Sequence, residues 1–245
     1  MECFIVGESD IDLQSQSLVL KGDEARHAIR VLRLREGEKL LATTLKGFCY
    51  KAKLTGSEQA AKKEWVAHCA IEEILPEHNE PDIDIQLMQG IPQHQSKLEE
   101  IIEKITEIGI SSISPIFSKR TEKKTFNFER VTRIIQNACK QTYRARMPEL
   151  SEIMSFEQGL MKAQREGRKI ILLHESAPLS DSLSKALQVK KNMKISLVVG
   201  PEGGFDEEEI VFANRNHDVQ IASLGPRRLR AETAAIMAVS IALGS

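Results

Sequence analysis

The sequence contains few cysteines, and they are not clustered. Cys3, Cys49, Cys69 and Cys139 lie far apart, form no C-x-x-C pair and have no histidine at the spacing of a zinc ligand. Structural zinc sites and disulfide frameworks both need cysteines at short, recurring spacings. We therefore expect neither a metal site nor a disulfide-stabilised fold.

The sequence also lacks long apolar runs and an excess of charge. No apolar run approaches the roughly 20 residues that span a bilayer, and the first residues lack the basic and apolar regions of a signal peptide. We therefore expect a cytoplasmic protein with no membrane partner. With 34 basic and 35 acidic residues the net charge is −1, so nucleic-acid binding would depend on local clusters of cations. The 245 residues, 41% of them hydrophobic, suffice for two domains.

The first 75 residues have the pattern of short strands joined by tight turns, which favours a small β-barrel. The expected strands are Leu18–Leu20, Glu38–Leu45, Tyr50–Leu54 and Trp65–Ile74. The apolar period over Asp23–Leu34 predicts a helix that carries Arg26, Arg30 and Arg33. Residues 76–81 combine two prolines with polar residues, and we expect a linker there.

From residue 82 onward, strands and helices alternate. A strand at Asp82–Gln89 precedes a helix that ends at Gly109, a second helix is capped by Asn127, and a capping box at Ser155 opens a third. The last three strands are almost continuously apolar, as strands buried on both faces are. They are Ile170–Leu173, Ile195–Val199 and Val219–Leu224. The alternation predicts an α/β domain whose parallel sheet is covered on both faces.

The loops after these three strands form the candidate site, because ligands of open α/β sheets bind beyond the carboxyl ends of the strands. The second loop, GPEGGF, starts at Gly200. Gly203 and Gly204 suit a tight turn into a helix capped by Asp206, and they would also let backbone groups approach a flat ligand closely. The spacing matches neither the dinucleotide-binding fingerprint nor the P-loop, so a nucleotide-phosphate site is not expected.

The third loop is basic and precedes an Ala-rich helix that starts at Ala231. Arg227, Arg228 and Arg230 suit the binding of a phosphate or of a developing oxyanion. Glu232 lies in the first turn of the helix. Alternatively, the arginines are solvated loop charges and Glu232 only complements the helix dipole.

Five segments carry a resemblance to a known family. They are HAIRVLRL at 27–34, SKLEEIIEKITEIGI at 96–110, ACKQTYRARMPEL at 138–150, GPEGGF at 200–205 and LGPRRLRAETA at 224–234. Together they resemble the RsmE-type 16S ribosomal RNA uridine-N3 methyltransferases of the SPOUT superfamily. Lys140 stands where this family usually has Glu, and Ile108 where it usually has Leu, so we expect altered contacts around Lys140.

The resemblance implies a PUA-like RNA-binding β-barrel in residues 1–75 and a SPOUT α/β methyltransferase domain with a trefoil knot in residues 82–245. It also implies a homodimer, S-adenosyl-L-methionine as cofactor, and methylation of uridine N3 in 16S ribosomal RNA of the small subunit. The matching motifs carry over these cofactor-binding residues: Leu173, His174, Glu175, Val199, Gly200, Glu202, Gly203, Gly204, Leu224, Gly225, Arg228, Leu229 and Thr233.

The chemistry and the RNA contacts suggest further residues. Loss of the uridine N3 proton spreads negative charge onto O2 and O4, which a cation stabilises while a base accepts the proton. We predict Arg230 for the first role and Glu232 for the second, with water, His27 and His174 as alternative bases. Contacts to RNA phosphates are expected from two basic clusters. Their residues are Arg26, Arg30, Arg33, Lys119, Arg120, Arg144 and Arg146.

Two other functions remain compatible with the sequence. One is a SPOUT methyltransferase that acts on a ribose 2′-hydroxyl or on transfer RNA. The other is a non-catalytic RNA-binding protein, which would have no affinity for S-adenosylmethionine.

Overall fold

The computed structural model describes residues 1–59, 64–121, 126–187, 193–215 and 219–244. The chain forms two compact units: Met1–Glu80 with Cys139–Met147, and Pro81–Ala138 with Pro148–Ser245. Residues 139–147, which the sequence analysis placed in the second domain, therefore belong to the first unit.

The first unit is built on a six-stranded sheet with the order β1-β4-β5-β6-β3-β2. Its strands are β1 (Cys3–Ile5), β2 (Ile11–Asp12), β3 (Ser17–Lys21), β4 (Lys39–Thr43), β5 (Phe48–Gln59) and β6 (Trp65–Pro76). Strands β1 and β4 are parallel and the other pairs antiparallel. Side chains alternate across a strand, so that Leu18 and Leu20 of β3 are buried in a core with Phe4 and Leu40.

The helix of the first unit is shorter than the sequence analysis predicted. Helix α1 (Gly22–Arg26) continues as a π-helical turn at His27–Val31, and Arg33 adopts a left-handed φ of 57°. Ala25 and Ala28 are buried against the core. The apolar period thus identified the side of the segment that faces the core, where Ile29 and Leu32 also pack partly buried, but the single helix predicted over 23–34 is wrong.

The expected linker at residues 76–81 is anchored in the first unit. Arg144 donates to both carboxylate oxygens of Glu80, with Nη2–Oε2 and Nε–Oε1 distances of 2.6 and 3.3 Å. Arg146 Nε donates to Glu77 Oε2 at 2.6 Å. These contacts explain why residues 139–147 pack with the first unit.

The second unit has a seven-stranded sheet whose strand pairs are all parallel, which confirms the predicted parallel arrangement. The order is β10-β8-β7-β12-β11-β13, and β9 pairs with β8. The strands are β7 (Asp84–Gly90), β8 (Ser112–Phe117), β9 (Glu149–Leu150), β10 (Met154–Ser155), β11 (Lys169–Leu173), β12 (Lys194–Val199) and β13 (Val219–Ala222). The helices are α2 (Gln95–Ile108), α3 (Phe128–Gln141), α4 (Phe156–Arg165), α5 (Leu183–Ala186), α6 (Glu207–Arg215) and α7 (Ala231–Leu243).

Local sequence signals set the ends of these helices. The capping box of α4 is confirmed, because Ser155 Oγ accepts from Gln158 N and Gln158 Oε1 accepts from Ser155 N. Asn127 Oδ1 accepts from Arg130 N at 3.0 Å, and Gly109 ends α2 with a φ of 120°. Phe156 and Leu160 of α4 pack with Ala213 of α6 in one core cluster on the sheet.

Helix α7 packs against α2, β7 and β12. No helix in the described part of the chain is long and apolar enough to cross a bilayer.

Candidate active site

Three loops meet at the carboxyl ends of β11, β12 and β13 and line a cavity of about 400 Å³. They are neighbours because β11 lies between β12 and β13 in the sheet. The volume is in the range of small-molecule binding sites. Every predicted cofactor residue except Thr233 lines this cavity, and so does Arg230.

The first loop contributes an imidazole and a carboxylate. His174 Nδ1 accepts from Ser176 N at 3.2 Å and lies 2.7 Å from Ser176 Oγ. Burial lowers the pKa of His174, Glu175 opposes this shift and Arg120 adds to it, so the imidazole is neutral at neutral pH. Glu175 forms an exposed ion pair with Arg228, with an Oε2–Nε distance of 3.2 Å.

The second loop brings backbone close to the cavity. Gly204 has a φ of 67°, which favours glycine, and a Cβ atom on Gly203 would lie 3.3 Å from Arg120 Cβ. Arg120 Nη1 donates to the Gly203 carbonyl at 3.0 Å. Arg120, which the sequence analysis assigned to RNA binding, therefore forms part of the cavity wall.

Glu202 ties the second loop to the start of α2. Its Oε2 accepts from Gln93 N at 3.1 Å, and its Oε1 accepts from Lys97 Nζ at 3.3 Å. Burial opposes ionisation, but backbone hydrogen bonds and Lys97 outweigh it and hold the pKa of Glu202 below its usual value. Its carboxylate is thus already engaged, although the residue lines the cavity.

The third loop supplies cations at the cavity. Gly225 has a φ of 119°, and its N–H donates to Ser223 Oγ at 3.1 Å. Arg230 is the N-cap residue of α7, and its carbonyl accepts from Ala234 N at 2.9 Å. Arg227 and Arg230 are exposed, and neither forms an ion pair with a described residue. Their charge is available to an anionic ligand.

Two predicted site residues lie outside the cavity lining. Thr233 is exposed on the first turn of α7, so its assignment to the cofactor pocket is not supported. Glu232, the predicted base, is half-buried, and its Oε2 is buried without a hydrogen-bond partner in the described part of the chain.

Several lining residues were not among the predicted cofactor residues, although Arg227 belongs to the basic loop that the sequence singled out. They are Arg120, Pro201, Phe205, Ser223, Arg227, Ala231 and Ala234. Phe205 is anchored by Phe156, with ring centroids 4.8 Å apart. Most of the others flank predicted residues, and Ser223 was missed because β13 ends at Ala222, earlier than expected. Arg120 comes from the loop after β8, which nothing in the sequence connects to this cavity.

The predicted RNA-binding residues fall into two classes. Arg144 is 2% exposed and is engaged by Glu80, so its predicted contact with RNA is wrong. Arg146 pairs with Glu77, and Lys119 pairs with Asp206 and Glu208. In contrast, three arginines around the π-helical turn are exposed and form no ion pair with any described residue. They are Arg26, Arg30 and Arg33.

Within the described ranges, no group of three or more His, Cys, Asp or Glu side chains is arranged to hold a metal ion. All four cysteines are buried and unpaired. Burial raises the pKa of Cys69 to about 12, so its thiol remains protonated at neutral pH.

Comparisons with known proteins agree over nearly the whole chain. Residues 78–243 match the family model of an RNA methyltransferase domain, and residues 20–63 match that of an RNA methyltransferase PUA domain. The ribosomal RNA small subunit methyltransferase E of Bacillus subtilis (strain 168) is 30% identical over 236 residues, which cover 93% of this chain and 90% of that protein.

Solved structures show the same similarity. The crystal structure of the Neisseria gonorrhoeae ribosomal RNA small subunit methyltransferase E, bound to S-adenosylmethionine, is 27% identical with a TM-score of 0.80, over 98% of this chain and 95% of that one. A Legionella pneumophila methyltransferase in complex with the same cofactor is 28% identical with a TM-score of 0.74. The match covers 98% of this chain and 96% of that one. With a PUA-like domain and an α/β methyltransferase domain, the chain belongs to the ribosomal RNA small subunit methyltransferase E family.

Proposed function

We propose that this chain transfers a methyl group from S-adenosylmethionine to N3 of a uridine in 16S ribosomal RNA. The observation that carries the proposal is the glycine-lined cavity formed by the loops after β11, β12 and β13. Its support is the similarity over the whole chain to proteins named for the small-subunit ribosomal RNA, one of them solved with the cofactor bound.

The cavity suits this cofactor by size and by chemistry. Leu173, Val199 and Leu224 provide apolar walls for a heterocycle, and the backbone near Gly203 and Gly225 is accessible for close contacts. The carboxylate of Glu175 and the arginines of the third loop suit the ammonium and carboxylate of an amino acid. When bound, S-adenosylmethionine supplies an electrophilic methyl group on a sulfonium.

The chain's own residues align the uridine and help it to lose its proton. Arg230 is exposed at the cavity and forms no ion pair with a described residue, so its guanidinium can stabilise the negative charge that develops on O2 or O4. We assign the role of proton acceptor to Glu232, which does not line the cavity itself but follows the lining residue Ala231 in the first turn of α7. Its buried Oε2 lacks a hydrogen-bond partner in the described ranges, which is costly unless a further group completes the site.

Replacement of Arg230 tests the assignment of the chemistry. Arg230→Ala should lower the single-turnover methyl-transfer rate by about 10²–10³-fold, the usual loss for one oxyanion-stabilising group, and should change cofactor affinity far less. Arg215→Ala, which removes an exposed arginine at the end of α6, is the matched control. A normal rate in Arg230→Ala, or an equal loss in the control, would remove Arg230 from the mechanism.

We also propose the trefoil knot, a homodimer and a cytoplasmic location. The path of the chain supports the knot: it crosses from β12 past β11 to β13 at the sheet edge, and then returns in α7 to β7 and β12. The apolar composition of α7 supports the homodimer. The proposed substrate, 16S ribosomal RNA, supports the cytoplasmic location.

A further inference from the structure

The first unit contains the chain's only tryptophan, and an arginine lies over it. Trp65 opens β6 and packs, partly buried, against the core of the unit. The guanidinium carbon of Arg30 lies 5.6 Å from the centroid of the indole ring, within the range of a cation–π contact. The two side chains therefore form a cation–π pair, with Arg30 exposed and Trp65 partly buried.

The backbone that carries Arg30 is irregular and exposed. Arg30 lies in the π-helical turn His27–Val31, a conformation that is rare and often occurs at functional sites. Val31, the next residue, is 63% exposed. The pair is thus flanked by accessible apolar surface.

Two further arginines of the same segment carry charge that no ion pair with a described residue neutralises. Arg26 and Arg33 are exposed and form no ion pair with the residues that the structure describes. Some other cations of the same unit are engaged: Lys21 lies 2.5 Å from Asp10, and Lys51 lies 2.7 Å from Glu73. Exposed cations without an ion-pair partner among the described residues, next to an aromatic ring, have the chemistry of a binding site for single-stranded nucleic acid.

We propose that the Arg30–Trp65 pair is a stacking site for an unpaired nucleobase of the RNA, with Arg26 and Arg33 on the adjoining phosphates. The inference rests on the proposed function, which makes RNA the substrate. Guanidinium planes and aromatic rings both stack on unpaired bases, whereas bases in a duplex are already stacked on their neighbours. A lysine at position 30 would keep the charge but lose the planar group.

Because the chain has one tryptophan, its fluorescence reports on this pair alone. Titration with a short single-stranded oligouridylate should change the emission and saturate at the Kd found by filter binding. A double-stranded RNA of similar length should change it much less. An equal change with both RNAs would overturn the assignment to an unpaired base.

Replacement of Arg30 separates stacking from charge. Arg30→Lys should weaken binding of the oligouridylate by about fivefold or more, the lower end of base-stacking contributions, with the salt dependence of binding nearly unchanged. Lys51→Ala is the control for loss of one cation, since Lys51 lies about 26 Å along the β5–β6 hairpin from Trp65, at 3.3 Å per residue. Parental affinity in Arg30→Lys would contradict the stacking site.

A methyl-transfer assay with small ribosomal subunits distinguishes a failure of the stacking site from a failure of the proposed function. If the parent protein methylates the subunits and binds the oligouridylate with unchanged Trp65 emission, the stacking site alone is wrong. If the parent protein transfers no methyl group, the proposed function is wrong, and the stacking site that rests on it is wrong as well.

Discussion

Arg144 and Arg146 show how far two similar residues can differ in environment. They lie two positions apart in a basic segment, and sequence reasoning assigned both to RNA. In the structure the side chain of Arg144 is 3% exposed against Glu80, whereas that of Arg146 is 54% exposed against Glu77. The acidic partners are more than sixty residues away in sequence, so no local pattern could have distinguished the two arginines.

The two arginines should therefore differ in their contribution to stability. Arg144→Ala leaves the carboxylate of Glu80 buried without its partner, and such losses cost about 3–5 kcal/mol. Arg146→Ala removes an exposed pair, which contributes about 1 kcal/mol or less. Urea unfolding of both variants measures the difference, and equal losses of free energy would mean that Arg144 is not the anchor of residues 139–147.

Lys140 is a position at which the family resemblance led us to expect Glu, and the structure shows what the lysine contacts. Its Nζ lies 2.7 and 2.9 Å from the two carboxylate oxygens of Glu24 and 5.9 Å from the centroid of the Phe4 ring. The glutamate expected from the resemblance would face Glu24 with a like charge. The altered contacts expected from the sequence are therefore an ion pair within the first unit.

Among the elements, those with strong local signals were predicted well. The capping box of α4 and the run of small and apolar residues in α7 gave the correct starts of both helices. Strands of two or three residues, such as β1 and β9, were missed because their partner strands define them and their own sequence does not. The helix expected over 23–34 breaks down because its later residues widen into the π-helical turn.

We propose that the loop after β12 contributes to cofactor binding. A side chain at Gly203 would press on Arg120, since even a Cβ atom would lie 3.3 Å from it. Gly203→Val should therefore lower S-adenosylmethionine affinity by at least about tenfold, measured by calorimetry, because it displaces the cavity wall. Gly56→Ala is the control, with its nearest neighbour at 3.9 Å. Unchanged affinity in Gly203→Val would exclude this loop from the cofactor site.

At the scale of the whole molecule, the sequence predicted the position of the site more accurately than it predicted the boundaries of the two units. The three cavity loops follow apolar strands whose ends must meet in a parallel sheet, which made them identifiable. The return of residues 139–147 to the first unit depends on pairing with residues distant in the chain. The position of Arg120 in the cavity wall likewise depends on contacts with residues that are distant in the chain.

The homodimer should form through the exposed side of α7. Ala235, Ala238 and Ala242 of this helix are buried within the unit, whereas Met237 is 36% exposed. An apolar helix with part of its surface uncovered suits a self-complementary interface. Sedimentation should show a dimer at micromolar concentration and a shift toward monomer in Met237→Lys. A parent protein that is monomeric and fully active would contradict the proposal.

Mass spectrometry of ribosomal RNA tests the central proposal most directly. Small ribosomal subunits from a strain that lacks this protein would be incubated with the purified chain and S-adenosylmethionine, and the 16S RNA digested to nucleosides. The proposed function predicts one new methyl group on the uracil ring at N3, at a single uridine. A methyl group on a ribose, or methylation of transfer RNA in place of 16S RNA, would contradict it.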